Sequence, residues 1–253
     1  MKMGEPFYFE IKQLARMYLD IVQLRDSITK RMNSIEDGNL HSNFAFDTME
    51  HTWNTLTRLR NELLEIANDK LKDHLLFRWC KNVRGMGTVA TLTFLGYINP
   101  YKADKASQVR AYFGVIPYQK LESGKKIKWN PEAKGRLWLI TRNVLMKRDE
   151  YYYPIYLKKK EYYLKERGFE KYIENPQLCP RFYECYMRIK AKAERLNREP
   201  KKLPCKAHVD NMAKRYLAGI LVSNALEVMR LNEGLDVSNF KNHRNYIPPK
   251  PFS

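Results

Sequence analysis

The chain has 253 residues, 44% of them hydrophobic, with a formal net charge of +18 at pH 7 and a pI near 9.7. That apolar fraction supports a buried core and excludes wholesale disorder. The charge excess adds self-repulsion without helping the chain fold, so it points to an anionic partner, nucleic acid first and a membrane surface second.

The charge is unevenly spread. Residues 1–77 carry 10 Lys/Arg against 12 Asp/Glu, a net of −2, whereas residues 78–253 carry 36 against 16, a net of +20. Only the second segment is built to meet a polyanion. No window reaches the roughly 18 apolar residues of a membrane span. The start, MKMGEPFYFE, lacks the apolar core and small-residue cleavage site of a secretory signal. Both features lead to the expectation of a cytoplasmic, nucleoid-associated protein without a membrane partner. Cys80, Cys179, Cys185 and Cys205 include no C-x-x-C pair and, with five scattered histidines, no zinc-like spacing. A disulfide between Cys179 and Cys185 stays open as an alternative.

From the N-terminus, Ile11, Leu14, Tyr18, Ile21, Arg25, Ile28, Met32 and Ile35 recur at alternating spacings of three and four, the seam of a coiled coil. Asp37-Gly38-Asn39 supplies a stop and turn. A second helical run follows, with Met49, Trp53, Leu56, Leu59, Leu63, Ile66 and Ala67 on a broad apolar face. The two runs predict an antiparallel hairpin. Its apolar seams need a partner: a second copy, giving a homodimer or higher oligomer through residues 7–77, or the basic domain itself.

At residue 78 the character changes. In VRGMGTVATLTFLGYI, residues 83–98, Gly85 and Gly87 bracket Met86 ahead of an apolar helical run, the form of a helix-hairpin-helix element. Exposed N–H groups at the start of the second helix can hold a DNA phosphate without reading sequence, which nominates Arg84, Gly85, Gly87 and Thr88. Residues 120–148 hold Lys125, Lys126, Lys128, Lys134, Arg136, Arg142, Lys147 and Arg148 against two acids, Glu122 and Glu132. Such density favours phosphate binding over a merely solvated face. A helix is expected from Glu132 to Lys147 with Leu137, Ile140, Val144 and Leu145 inward.

Residues 151–163, YYYPIYLKKKEYY, interleave six tyrosines with three lysines. Core packing is the favoured reading, with stacking on unpaired bases as the alternative. Residues 170–205 contain four prolines and read as a helix between loops. Residues 206–231 form a strong amphipathic pattern, and the closing NYIPPKPFS is expected to be a flexible tail. The chain is therefore predicted to be mainly α: a helical hairpin or coiled coil over 1–77, a helical DNA-binding domain with a helix-hairpin-helix element over 78–243, and a tail over 244–253.

The order of these features resembles one family, the insertion-sequence one-ten transposases, relatives of the pilin-gene-inverting recombinases. RGMGTVA at 84–90, SQVRAYFGVIP at 107–117, ESGKK at 122–126, KGRLWL at 134–139 and the helix from Ala207 through Arg215 follow the motif order of that family's C-terminal domain, preceded as there by a coiled coil. Arg84 stands where the family has proline, and Trp138 where a second basic residue is expected. The resemblance implies descent from a mobile-element transposase, with Ser123 at the place of the family's nucleophilic serine. Such a serine attacks a DNA phosphorus and holds the broken strand as a covalent ester, with Lys125, Lys126 and Lys128 around the phosphate oxygens. The family's metal-binding RuvC-like half has no counterpart in this sequence. The expectation is thus no cofactor in this chain, with any magnesium brought by a separate nuclease partner. Three functions follow: a sequence-tolerant DNA-binding protein, an active transposase or recombinase subunit using Ser123, and a structured-RNA-binding accessory of a recombinase.

Overall fold

A computed structural model describes residues 5–37, 43–116, 126–179, 182–195, 197 and 204–251. The expectation of a mainly α protein holds: the described residues form helices joined by turns, bends and irregular segments, with no strand among them. Two long helices come first, α1 (Glu5–Asp37) and α2 (Asn43–Lys70), followed by three short ones, α3 (Leu75–Asn82), α4 (Thr88–Tyr97) and α5 (Ala106–Tyr112). Then come α6 (Pro131–Met146), α7 (Tyr152–Leu164), a single turn α8 (Glu170–Glu174) and α9 (Phe182–Arg195). The 29-residue α10 (Pro204–Asn232) and the short α11 (Ser238–Lys241) complete the order.

Local chemistry places several boundaries. Asn130 caps α6 by accepting the Ala133 N–H at 3.0 Å, and Pro131 occupies the first turn, where no N–H is needed. His74 caps α3 through Nδ1, which accepts the Leu76 N–H at 3.0 Å. Asp149 Oδ1 accepts the Tyr151 and Tyr152 N–H groups, each at 3.0 Å, and so starts α7 two residues ahead of Pro154.

The core is organised by α10, which packs against α3, α5, α6, α7 and α9. Every residue from Leu217 to Arg230 is buried, the signature of a helix enclosed on all sides. α4 is similarly enclosed, with Leu92, Phe94 and Leu95 wholly buried and only Val89 exposed. Gly96 lets α1 approach closely: a Cβ there would lie 2.7 Å from Leu19 Cδ1.

α1 packs along α2 and α4. Tyr8, Ile11, Ala15 and Tyr18 of α1 and Leu63 and Ala67 of α2 belong to the same hydrophobic core as Leu217 and Leu221 of α10. Part of the expected coiled-coil seam is therefore consumed inside the chain. The boundary expected after residue 77 falls within α3, and the core crosses it. Farther along, Arg25 stacks over Trp53 at 5.0 Å and Trp53 Nε1 donates to Thr29 Oγ1 at 3.1 Å, joining the second half of α1 to the first half of α2. The Gly38-Asn39 connection lies outside the described residues.

The closing stretch, expected as a tail, lies against the body as far as Pro251. Tyr151 Oη donates to Pro248 O at 2.9 Å, Asn82 Nδ2 donates to Pro251 O, and Lys250 is buried. The tyrosine-rich stretch is largely core, with Tyr152 and Tyr156 buried and Tyr153 and Tyr163 packed against them. Cys179 is a free thiol.

Candidate nucleic-acid interface

The turn between α3 and α4 is tight and glycine-dependent. The Met86 N–H donates to Val83 O at 3.1 Å, and Gly85 (φ +92°) and Gly87 (φ +148°) hold conformations that L side chains rarely adopt. The two glycines serve different ends. A Cβ on Gly85 would sit 2.5 Å from the Asn143 carbonyl oxygen, so Gly85 lets the turn lie against the backbone of α6. Gly87 has open space around it and caps α4, whose first-turn N–H groups form the positive end of that helix.

The turn is also held from its other side. The Arg84 N–H donates to Asp149 Oδ2 at 2.8 Å, and the Arg84 guanidinium pairs loosely with Glu150 at 3.7 Å, both side chains well exposed. Asp149 is fully buried. Burial alone would raise its carboxyl, but hydrogen bonds from the N–H groups of Tyr152, Arg84 and Tyr151 and from Lys250 leave it below its ordinary value.

Between the turn and the end of α6 lies an open concavity of about 540 Å³, lined by Arg84, Gly85, Met86, Asn143, Met146 and Lys147. Arg142, Lys147 and Arg148 are exposed on this part of the chain. The fold thus brings Arg84, 63% exposed at its side chain, to the cations at the end of α6.

The other nominated residues are distributed differently. Thr88 is buried, and its Oγ1 donates to Asn68 Oδ1 of α2 at 2.5 Å, leaving only its backbone for an anion. Arg136 points to α1, its guanidinium mostly covered and 3.7 Å from Asp26. Lys134 lies with Nζ 4.5 Å above the Trp129 ring, its ammonium held below its ordinary value by burial and by Arg215. Lys126 and Lys128 are exposed on the segment leading into α6. Ser123 and Lys125 lie outside the described residues. Since α6 spans about 24 Å at 1.5 Å per residue, its two ends present separate groups of cations.

Reasoning along the chain missed the Asp149 anchor, although an aspartate shortly before a helix is a capping signal. It also missed that Tyr216 of α10 joins the tyrosine–lysine stretch: Lys159 Nζ lies 3.9 Å from the Tyr162 centroid and 4.8 Å from that of Tyr216, and the second contact is one that no local pattern announces.

Among the described residues no group of three or more His, Cys, Asp or Glu is arranged to hold a metal ion, and no helix is long and apolar enough to cross a membrane. Comparison of the chain with protein-family models, with curated proteins and with solved structures finds no match.

Proposed function

We propose that this chain is a DNA-binding protein that grips duplex phosphates with little regard to base sequence. The observation that carries the reading is the net charge of +20 on residues 78–253 together with the concavity where Arg84 and the α3–α4 turn meet Lys147. The geometry supports a helix-hairpin-helix role for α3, the turn and α4: phosphate oxygens would meet the N–H groups opening α4, with Arg84, Arg142 and Lys147 neutralising the neighbouring charges. The resemblance to the C-terminal half of a mobile-element transposase supports the same reading. Self-association through residues 7–77 belongs with it. Met17 and Leu24 on α1, and Leu59 and Ile66 on α2, are exposed at seven-residue spacing.

A second reading, a recombinase subunit, is favoured by the residues flanking 117–125. The Asn130 N–H donates to Tyr112 O at 2.9 Å, Asn130 Nδ2 donates to Tyr112 Oη at 2.9 Å, and the bare Gly114 faces the Trp129 ring. Tyr112 and Asn130, on either side of Ser123 in the sequence, are thereby held together, with Lys134 over the neighbouring Trp129 ring. In this reading the Ser123 hydroxyl attacks a phosphorus and a deoxyribose hydroxyl departs.

One experiment separates the two. The protein and a Ser123→Ala variant are incubated with labelled duplex and branched DNA over a salt series, then run on native and denaturing gels. Equal, steeply salt-dependent shifts by both proteins without an adduct support the binder. A protease-sensitive covalent adduct formed by the wild type alone makes the recombinase primary. Binding indifferent to salt overturns the phosphate-directed reading altogether.

A further inference from the structure

A second concavity lies away from the interface, between α5, α10, α11 and the chain from Asn245 to Ile247. Its volume is about 180 Å³, comparable to protein cavities that accept an aromatic ring. It differs from a dry packing defect in its chemistry. Glu227 lines it from the enclosed helix α10 and is only 2% exposed. Glu227 Oε1 accepts the Tyr246 hydroxyl at 2.7 Å, whereas Oε2 is buried without a hydrogen-bond partner. An unmet carboxyl oxygen in such a place is costly, and a ligand hydrogen-bonding group removes the cost.

The remaining lining narrows the ligand. Arg110 reaches in from α5 with Nε held by Gly219 O at 3.1 Å and Ser223 Oγ at 2.7 Å, which fixes the guanidinium and leaves its two Nη groups without a protein partner among the described residues. Lys105 and His243 line the same opening and are exposed. Phe240 and Tyr246 supply aromatic surface. A simple anion would satisfy the cations but leave Glu227 unmet, and an apolar guest would leave both unmet. A heterocycle with a hydrogen-bonding edge, attached to a phosphate, satisfies all three features.

We propose that this cavity is a nucleotide site, in which the hydrogen-bonding edge of a base meets Glu227, its ring packs along Phe240 and Tyr246, and its phosphate meets Arg110 with Lys105 and His243. Burial raises the Glu227 carboxyl above its ordinary value, against the Tyr246 hydroxyl and Lys241. A free mononucleotide and a base turned out of a strand present the same chemistry. The site does not depend on the duplex-binding reading.

The test uses the full chain and its Glu227→Leu variant. Each of the four deoxynucleoside monophosphates, and inorganic phosphate as a control, is titrated by calorimetry. A single strand carrying 2-aminopurine is titrated by fluorescence, and thermal unfolding of both proteins checks the fold. At least one mononucleotide is expected to bind, with affinity falling about tenfold or more in Glu227→Leu, the scale of one buried hydrogen bond to a carboxyl group. If the mononucleotides stay silent but 2-aminopurine brightens with wild type and not with the folded variant, the occupant is an extruded base. The proposal is overturned by no binding of any mononucleotide up to about 10 mM together with no Glu227-dependent fluorescence change. Equal affinity in the folded variant, or inorganic phosphate binding as well as the nucleotides, also overturns it. Loss of gel-shift activity alone, with mononucleotide binding intact, would fault the duplex interface and leave this site standing.

Discussion

Asp149 and Lys250 form a buried ion pair, Nζ to Oδ2 at 3.1 Å, across 101 residues of sequence. Lys250 Nζ also donates to Asn82 O at 3.0 Å, and Asp149 Oδ2 accepts the Arg84 N–H. One carboxylate therefore ties the end of the chain to the turn that opens α4. Replacing Lys250 by Met leaves that charge buried with only N–H donors. The expected loss is about 3 kcal/mol, near the lower end for a broken buried pair because three N–H bonds remain. Urea unfolding measures it, and a loss below about 0.5 kcal/mol, the range of ordinary surface substitutions, would show that the pair holds nothing.

The same carboxyl sets an acid limit. Its folded-state pKa lies below the unfolded one, so its contribution is present above the unfolded value near 3.9 and disappears as pH falls through the folded value. Asp149→Asn should flatten stability against pH below about pH 4, read from urea midpoints across that range.

His74 acts at higher pH. Burial pushes its imidazole down to about 4, and its Nδ1 accepts the Leu76 N–H in the unprotonated form. The unfolded chain binds a proton near pH 6.5 and the folded chain does not. Stability is therefore complete above about pH 6.5 and falls on acidification towards pH 4, by up to roughly 3 kcal/mol. His74→Asn keeps a capping oxygen without the titration, and its stability should be level across that window. An unchanged slope in the variant would assign the acid sensitivity elsewhere.

Gly85 and Gly87 should separate by mechanism. Gly85→Ala drives a Cβ into the Asn143 backbone at a positive φ, and a loss of about 2–4 kcal/mol is expected from clash and strain together. Gly87→Ala meets open space and bears the φ strain alone, about 1–2 kcal/mol. Calorimetric melting ranks them. If Gly87→Ala stays folded yet loses DNA affinity, its effect belongs to the interface.

Charge variants should sort by location. Arg84→Gln and Lys147→Gln each lower the slope of log affinity against log salt by about one phosphate contact. Arg136→Gln should leave that slope unchanged, since its guanidinium is mostly covered and turned towards Asp26. Equal effects at all three sites would mean that α6 is bound along its whole length.

The helices themselves were legible because spacing, caps and breakers are local. The alternation from Ile11 to Ile35, Asn130-Pro131 and the glycine-bracketed turn at 84–87 each state their own conformation. The basic balance of residues 78–253 was equally legible, since charge is a property of composition. Which side of each residue would be covered was not. By position Thr88 belongs to the turn nominated for a phosphate, and Lys134 and Arg136 to a cationic stretch, yet the packing of α2, the Trp129 ring and α1 claims their side chains. Gly85 reads as an invitation to a phosphate, and tertiary packing uses its bareness to seat the turn on α6. Periodicity assigns a residue to a face of its own helix; only the docking of distant segments decides whether that face meets solvent, another helix or, as at Asp149 and Lys250, its ionic partner.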